Sequence, residues 1–129
     1  MLKKYGFLII PLILVIIYIG YNSINNRGIE QITTSQLEEK MINPSEKQVF
    51  VDVREIEEYE AGHIEGMINI PLSKIETTLE YVQKDSEVIL FCRSGNRSMQ
   101  AAQALQDMGY KNIVNVEGGI QAWTGPLVK

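Results

Sequence analysis

One cysteine, one histidine and one tryptophan stand among the 129 residues, and each scarcity narrows the field. A lone cysteine makes no internal disulfide, so the fold has to hold by its apolar core. A lone histidine, His63, is the one partner a Cys-His catalytic pair could recruit, and no metal site is expected. The net charge is −4, with both signs interspersed and no polybasic run, which excludes the electrostatic footprint of a nucleic-acid binder. Any small anionic partner must then be recognised locally. There is no internal repeat and no low-complexity stretch.

What is present falls into two unequal parts. From Tyr5 to Tyr21 the run YGFLIIPLILVIIYIGY holds no ionisable group except tyrosine, about the length of a short membrane helix. Leu2 can extend it if Lys3 and Lys4 snorkel. The two lysines and the terminal amine lie on one flank, and the other flank is neutral until Arg27. The positive-inside rule therefore predicts a cytoplasmic N-terminus and an extracytoplasmic domain. Pro11 is tolerable in such a helix. A cleaved signal peptide, giving a secreted domain, is the competing reading, but Gly20 to Ser23 match a cleavage site poorly. Residues 1–21 are thus read as the anchor, 22–28 as a polar, asparagine-rich linker and 29–129 as one domain of roughly 100 residues.

That domain alternates short apolar runs with amphipathic stretches. Ser35 with Glu38 and Ser73 with Glu76 form capping-box patterns ahead of helically spaced apolar residues. Gln48 to Val53, Ile68 to Ile70, Glu87 to Phe91 and Asn112 to Val116 read as strands; the longer runs are the kind buried on both faces. An alanine-rich helix is predicted from about Arg97 to Met108, ended by Gly109, and a last short helix near Ile120 to Trp123. Strands alternating with helices predict an α/β fold, a parallel sheet with helices on both faces.

The chemistry concentrates in CRSGNRS. Cys92 follows the strand EVILF just before a helix opens, which is where open parallel sheets place their ligands. Arg93, Ser94, Gly95, Asn96, Arg97 and Ser98 can curl so that successive N–H groups point inward as an anion-holding nest, to which the helix N-terminus adds positive charge. With the two arginines nearby, Cys92 is expected to ionise below the ordinary thiol range and act as a nucleophile. The bland alternative is a buried, inert cysteine, which needs neither the glycine turn nor the arginines.

The sequence resembles a rhodanese domain, the sulfurtransferase family. The resemblance rests on VDVRE (Val51 to Glu55), EYEAGHIEGMINIP (Glu58 to Pro71), LFCRSGNRS (Leu90 to Ser98), the helix ending MGY (Met108 to Tyr110) and VEGGIQAW (Val116 to Trp123). Glu65 and Met67 depart from the usual pattern. The resemblance implies a three-layer rhodanese-like α/β domain and a Cys92 persulfide. That persulfide would take sulfane sulfur from a donor such as thiosulfate and pass it to cyanide or a thiol, with no cofactor. Backbone N–H groups of residues 93–98 would stabilise the terminal sulfur, and Arg93 and Arg97 would meet the donor's sulfonate.

By the same resemblance Asp52 and Arg54 organise the site, and Glu58, four residues beyond Arg54, is placed to pair with it if the segment is helical. His63 is assigned a structural hydrogen bond and Trp123 a core or rim position. Two rivals remain. A related Cys-dependent phosphatase would set one residue more between Cys and Arg than the four separating Cys92 from Arg97. A non-catalytic or thiol-sensing module would also keep the cysteine. Outside the cytoplasm the thiol would call for a reductant or a sulfur-relay partner.

Overall fold

The computed structural model describes residues 2–25 and 28–129; Met1 and, within the expected linker, Asn26 and Arg27 lie outside the described residues. Helix α1 spans Leu2–Asn25, 24 residues with Pro11 inside it. It therefore runs four residues past Tyr21, into the stretch expected to be linker, because elongating a formed helix needs only one hydrogen bond per residue fixed. Over Lys3–Ile24 its mean hydropathy is 2.3 and none of it is buried, so it is long and apolar enough to cross a membrane.

The rest is a three-layer α/β domain. Strands β1 (Ile29–Ile32), β2 (Gln48–Asp52), β3 (Ile68–Asn69), β4 (Glu87–Phe91) and β5 (Asn112–Val116) form one sheet in the order β1-β5-β4-β2-β3. Every pairing is parallel. Between them lie helices α2 (Thr34–Ile42), α3 (Ile56–Ala61), α4 (Ile75–Thr78, flanked by 3₁₀ turns) and α5 (Asn96–Asp107), and α6 (Gly119–Ala122) follows β5. The run of β4 is apolar from Val88 to Phe91, and that of β5 from Ile113 to Val116 except at Asn115, because both sheet faces are covered. Val88, Leu90 and Cys92 pack with Ala101, Ala102 and Leu105 of α5, whereas Ile89 and Phe91 pack on the other face with Leu37 of α2. Leu105 is fully buried, and truncating such a side chain to alanine typically costs about 2–5 kcal/mol.

Two local expectations are corrected. The box that starts α2 is Thr33 with Gln36, not Ser35 with Glu38. Thr33 is the residue still extended (ψ 167°) as the chain leaves β1, so the helix begins one half-turn earlier. Ser73 caps nothing: Pro71 opens a 3₁₀ turn over Leu72–Lys74 and α4 lasts four residues, as suits the β-branched Thr77 and Thr78. The sequence also hid β1, a four-residue edge strand whose middle residues Glu30 and Gln31 are exposed.

Candidate functional site

The carboxyl ends of β2 and β4 lie side by side, with Asp52 opposite Phe91 in the register, and so gather the expected residues at one edge of the sheet. Cys92 follows β4 and is 1% exposed. The chain turns through Gly95, whose φ of +103° is left-handed backbone, and enters α5 at Asn96. The turn carries the Gly95 amide to within 3.0 Å of Cys92 Sγ, to which it donates, and Ser98 Oγ approaches the sulfur to 3.3 Å. Burial alone pushes the Cys92 thiol up. The Ser98 hydroxyl and the amides of Ser98, Gly95 and Ser94 outweigh it, and the net shift is downward. Dipoles of the loop therefore carry most of the effect assigned above to the arginines.

Of the two arginines, Arg97 is already engaged. Arg97 donates from Nη1 and Nη2 to the two carboxylate oxygens of Glu58, at 2.6 and 2.9 Å. This fork holds the Glu58 carboxyl down at about 2, with the Glu55 amide adding to it, and raises Arg97 further. The expected Arg54 to Glu58 side-chain pair is thereby corrected. Arg54 turns back onto Asp52 through Nε and Nη2, and reaches Glu58 only at its backbone carbonyl. Its partner is chosen by burial: Asp52 is fully buried and needs a charge beside it, whereas Glu58 lies at the surface of α3. The Arg54 guanidinium also donates to the Gly62 carbonyl, tying β2 to the end of α3. Asp52 and Arg54 thus bond to each other and to the backbone at the end of β2, next to the strand that leads into Cys92. The Arg93 side chain is exposed beside the loop, as are those of Ser94 and Asn96.

His63 makes its bonds elsewhere. Its Nδ1 lies 2.8 Å from the Tyr59 carbonyl and its ring stacks on Tyr59 at 3.7 Å, while its backbone pairs with Val128. Trp123 is half-buried against the α2 side of the core. Among the described residues no three His, Cys, Asp or Glu side chains converge as metal ligands do.

Two positions that shape the candidate site escaped the sequence reading. Gly119 (φ +51°) lets α6 lie directly on the Cys92 turn, where Ile120 N and Gln121 N donate to the carbonyls of Cys92 and Arg93 at 2.9 and 3.1 Å. Holding those carbonyls outward leaves the loop's amides to face the sulfur. Asn115 of β5, buried at 4% exposure, accepts from the Ser98 hydroxyl at 2.5 Å. A polar residue inside the aliphatic strand NIVNV was the available signal for it.

Comparison with known proteins agrees with this geometry. The family model described as rhodanese-like domain matches residues 33–126. YtwF of Bacillus subtilis is 42% identical over 75% of this chain and 92% of its own length. A sulfurtransferase of Allochromatium vinosum is 33% identical over 74% of this chain and 88% of its own. The crystal structure of a rhodanese-like domain protein from Staphylococcus aureus is 34% identical, covers 75% of this chain and 92% of that one, and superposes with a TM-score of 0.67. This chain spans only 56% of the length of another relative, YrkF of Bacillus subtilis.

Proposed function

The chain belongs to the rhodanese-like domain family, and from that premise we propose that it is a sulfurtransferase working through a Cys92 persulfide. The observation that carries the reading is the buried sulfur, which the Gly95 amide at 3.0 Å and the neighbouring loop dipoles favour as a thiolate. In the first half-reaction the thiolate attacks the outer sulfur of thiosulfate. The S–S bond of the donor breaks and sulfite departs with its electron pair, leaving Cys92 as a persulfide anion. The nest of residues 93–98 is the electrostatic support for that terminal sulfur, acting as an oxyanion hole acts on oxygen. A thiophilic acceptor, cyanide or a thiol, then takes the outer sulfur and returns the thiolate.

Within this scheme Arg93, exposed at the loop, is the freer cation for the donor's sulfonate, and Arg97 acts from its fork with Glu58. The four residues between Cys92 and Arg97 make a ring suited to one sulfur atom rather than a phosphate. Helix α1 serves as a single-pass anchor with Lys3 and Lys4 on the cytoplasmic side, so the domain works outside and depends on a thiol reductant or a sulfur-relay protein there.

The test is mass spectrometry of the full chain in detergent after thiosulfate treatment. One sulfur atom should add at Cys92, and Cys92→Ser should fold but add none. Absence of the adduct together with efficient hydrolysis of an aryl phosphate would transfer the assignment to a phosphatase. Absence of both activities would leave a binding or thiol-sensing module.

A further inference from the structure

Asn115 is a polar side chain in a strand that is otherwise aliphatic toward the core. Its neighbours across the sheet are Leu90 of β4 and Gln31 of β1. A buried amide has to be satisfied on both sides, and here Oδ1 faces Ser98 Oγ at 2.5 Å while Nδ2 faces Gln31 Oε1 at 2.8 Å. Beyond Ser98 lies Cys92 Sγ at 3.3 Å, so four side chains form one line from the nucleophile to the surface. The Ser98 hydroxyl has a single proton to give. When it gives that proton to Asn115, it can only accept on the sulfur side, which suits a thiol; a thiolate requires the opposite arrangement.

We propose that Asn115, coupled across the β1 and β5 pair to Gln31, is a positioning residue for Cys92: the two amides turn over together, and their orientation decides whether the Ser98 hydroxyl accepts from the thiol or donates to the thiolate. In the first orientation Cys92 donates to Ser98, Ser98 to Asn115 Oδ1, and Asn115 Nδ2 to Gln31 Oε1. In the second, Gln31 Nε2 donates to Asn115 Oδ1, Asn115 Nδ2 to Ser98 Oγ, and Ser98 to the sulfur anion. The S–H proton leaves to solvent, the sulfur keeps the electron pair, and no other covalent bond changes. An amide's oxygen and nitrogen are nearly equal in size, so the turn needs no extra room. Gln31 gives up little in turning, because it is exposed and among the described residues its Nε2 donates to the Met99 thioether sulfur, a weak acceptor, at 3.3 Å.

The charged groups around the sulfur stay fixed during this exchange. They are the Arg97 and Glu58 fork from α5 and α3, Arg93 in the loop, and the Asp52 and Arg54 pair at the end of β2. The Gly95 amide donates to the sulfur throughout. The inference concerns the protonation of Cys92 and holds whether the thiolate receives sulfur or serves another chemistry.

The experiment follows the rate of Cys92 alkylation by iodoacetamide against pH, on the full chain in detergent, with Gln31→Lys and Gln31→Glu. Gln31 is exposed, so both variants keep the fold. A donor-only side chain pins the second orientation and moves the ionisation midpoint down, and an acceptor-only side chain pins the first and moves it up. Each shift should be about half to one pH unit, a threefold to tenfold change in thiolate fraction at fixed pH. Both shifts should survive high salt and vanish in Ser98→Ala or Asn115→Ala backgrounds. Shifts that persist without the Ser98 hydroxyl, or that salt abolishes, would show a direct field from the introduced charge and overturn the proposal, as would midpoints that do not move.

Discussion

Gly119→Ala is the sharpest probe of how this fold makes its nest. A Cβ at position 119 would stand 2.2 Å from the Cys92 carbonyl oxygen and 2.6 and 2.7 Å from the Arg93 carbonyl carbon and oxygen. All three are backbone atoms, so no side chain can rotate out of the way. To pass 3.0 Å, the closest separation tolerated by real side chains, α6 and the turn must part by nearly 1 Å. That movement breaks the bonds from Ile120 N and Gln121 N, now 2.9 and 3.1 Å long. Two hydrogen bonds at about 1 kcal/mol each, with about 1 kcal/mol for alanine in left-handed backbone, amount to about 3 kcal/mol. For a domain near 100 residues this lowers Tm by roughly 10–20 °C. The reaction suffers separately, because a ~1 Å misplacement of preorganised donors can cost about 10²-fold in rate. Gly109→Ala is the control: its φ of +95° carries backbone strain, but a Cβ there meets nothing within 4 Å. Thermal melts and persulfide formation, measured on both variants in detergent, decide the matter. If Gly119→Ala melts no lower than Gly109→Ala, or forms persulfide within about threefold of the unmodified chain, the close approach of α6 is not what shapes the loop.

Asp52→Asn leaves the buried Arg54 guanidinium without its counter-charge and should cost about 3–5 kcal/mol, read from the denaturant midpoint; an unchanged midpoint would mean that the pair does not hold β2 to α3. The Arg97 fork holds the Glu58 carboxyl down at about 2 in the folded chain, against an ordinary 4.5, so its contribution is complete above about pH 4.5 and is lost as the pH falls through about 2. Its side chain is 34% exposed, which limits the contribution to about 1 kcal/mol. Glu58→Gln should accordingly flatten the acid limb of a Tm against pH curve, and an identical limb would assign the acid sensitivity elsewhere. For the membrane, an alkaline phosphatase fused after Lys129 should be active; an inactive fusion with an active cytoplasmic reporter reverses the orientation given by Lys3 and Lys4.

The pieces of this protein that local sequence determines are those whose physical cause lies within a few residues. The strands β4 and β5 were legible from end to end, because burial on both faces demands a run that is apolar almost throughout, Asn115 being the one buried exception in β5. Helix α5 and its stop at Gly109 were legible from alanine content and from the left-handed residue a helix end prefers. Cys92, with its glycine turn and the helix opening behind it, marked the candidate nucleophile site before any neighbour was known. Tertiary structure alone decided the partners. Glu58 could have met Arg54 four residues away, yet it meets Arg97, 39 residues on, because buried Asp52 already claims Arg54. Ser98 meets Asn115, Asn115 meets Gln31 across 84 residues, and Gly119 lies on the Cys92 turn, only because the parallel crossovers stack β1, β5 and β4 in register. Propensity and periodicity describe a residue's own turn or strand; which side chains face one another depends on the order and register of strands distant in the chain.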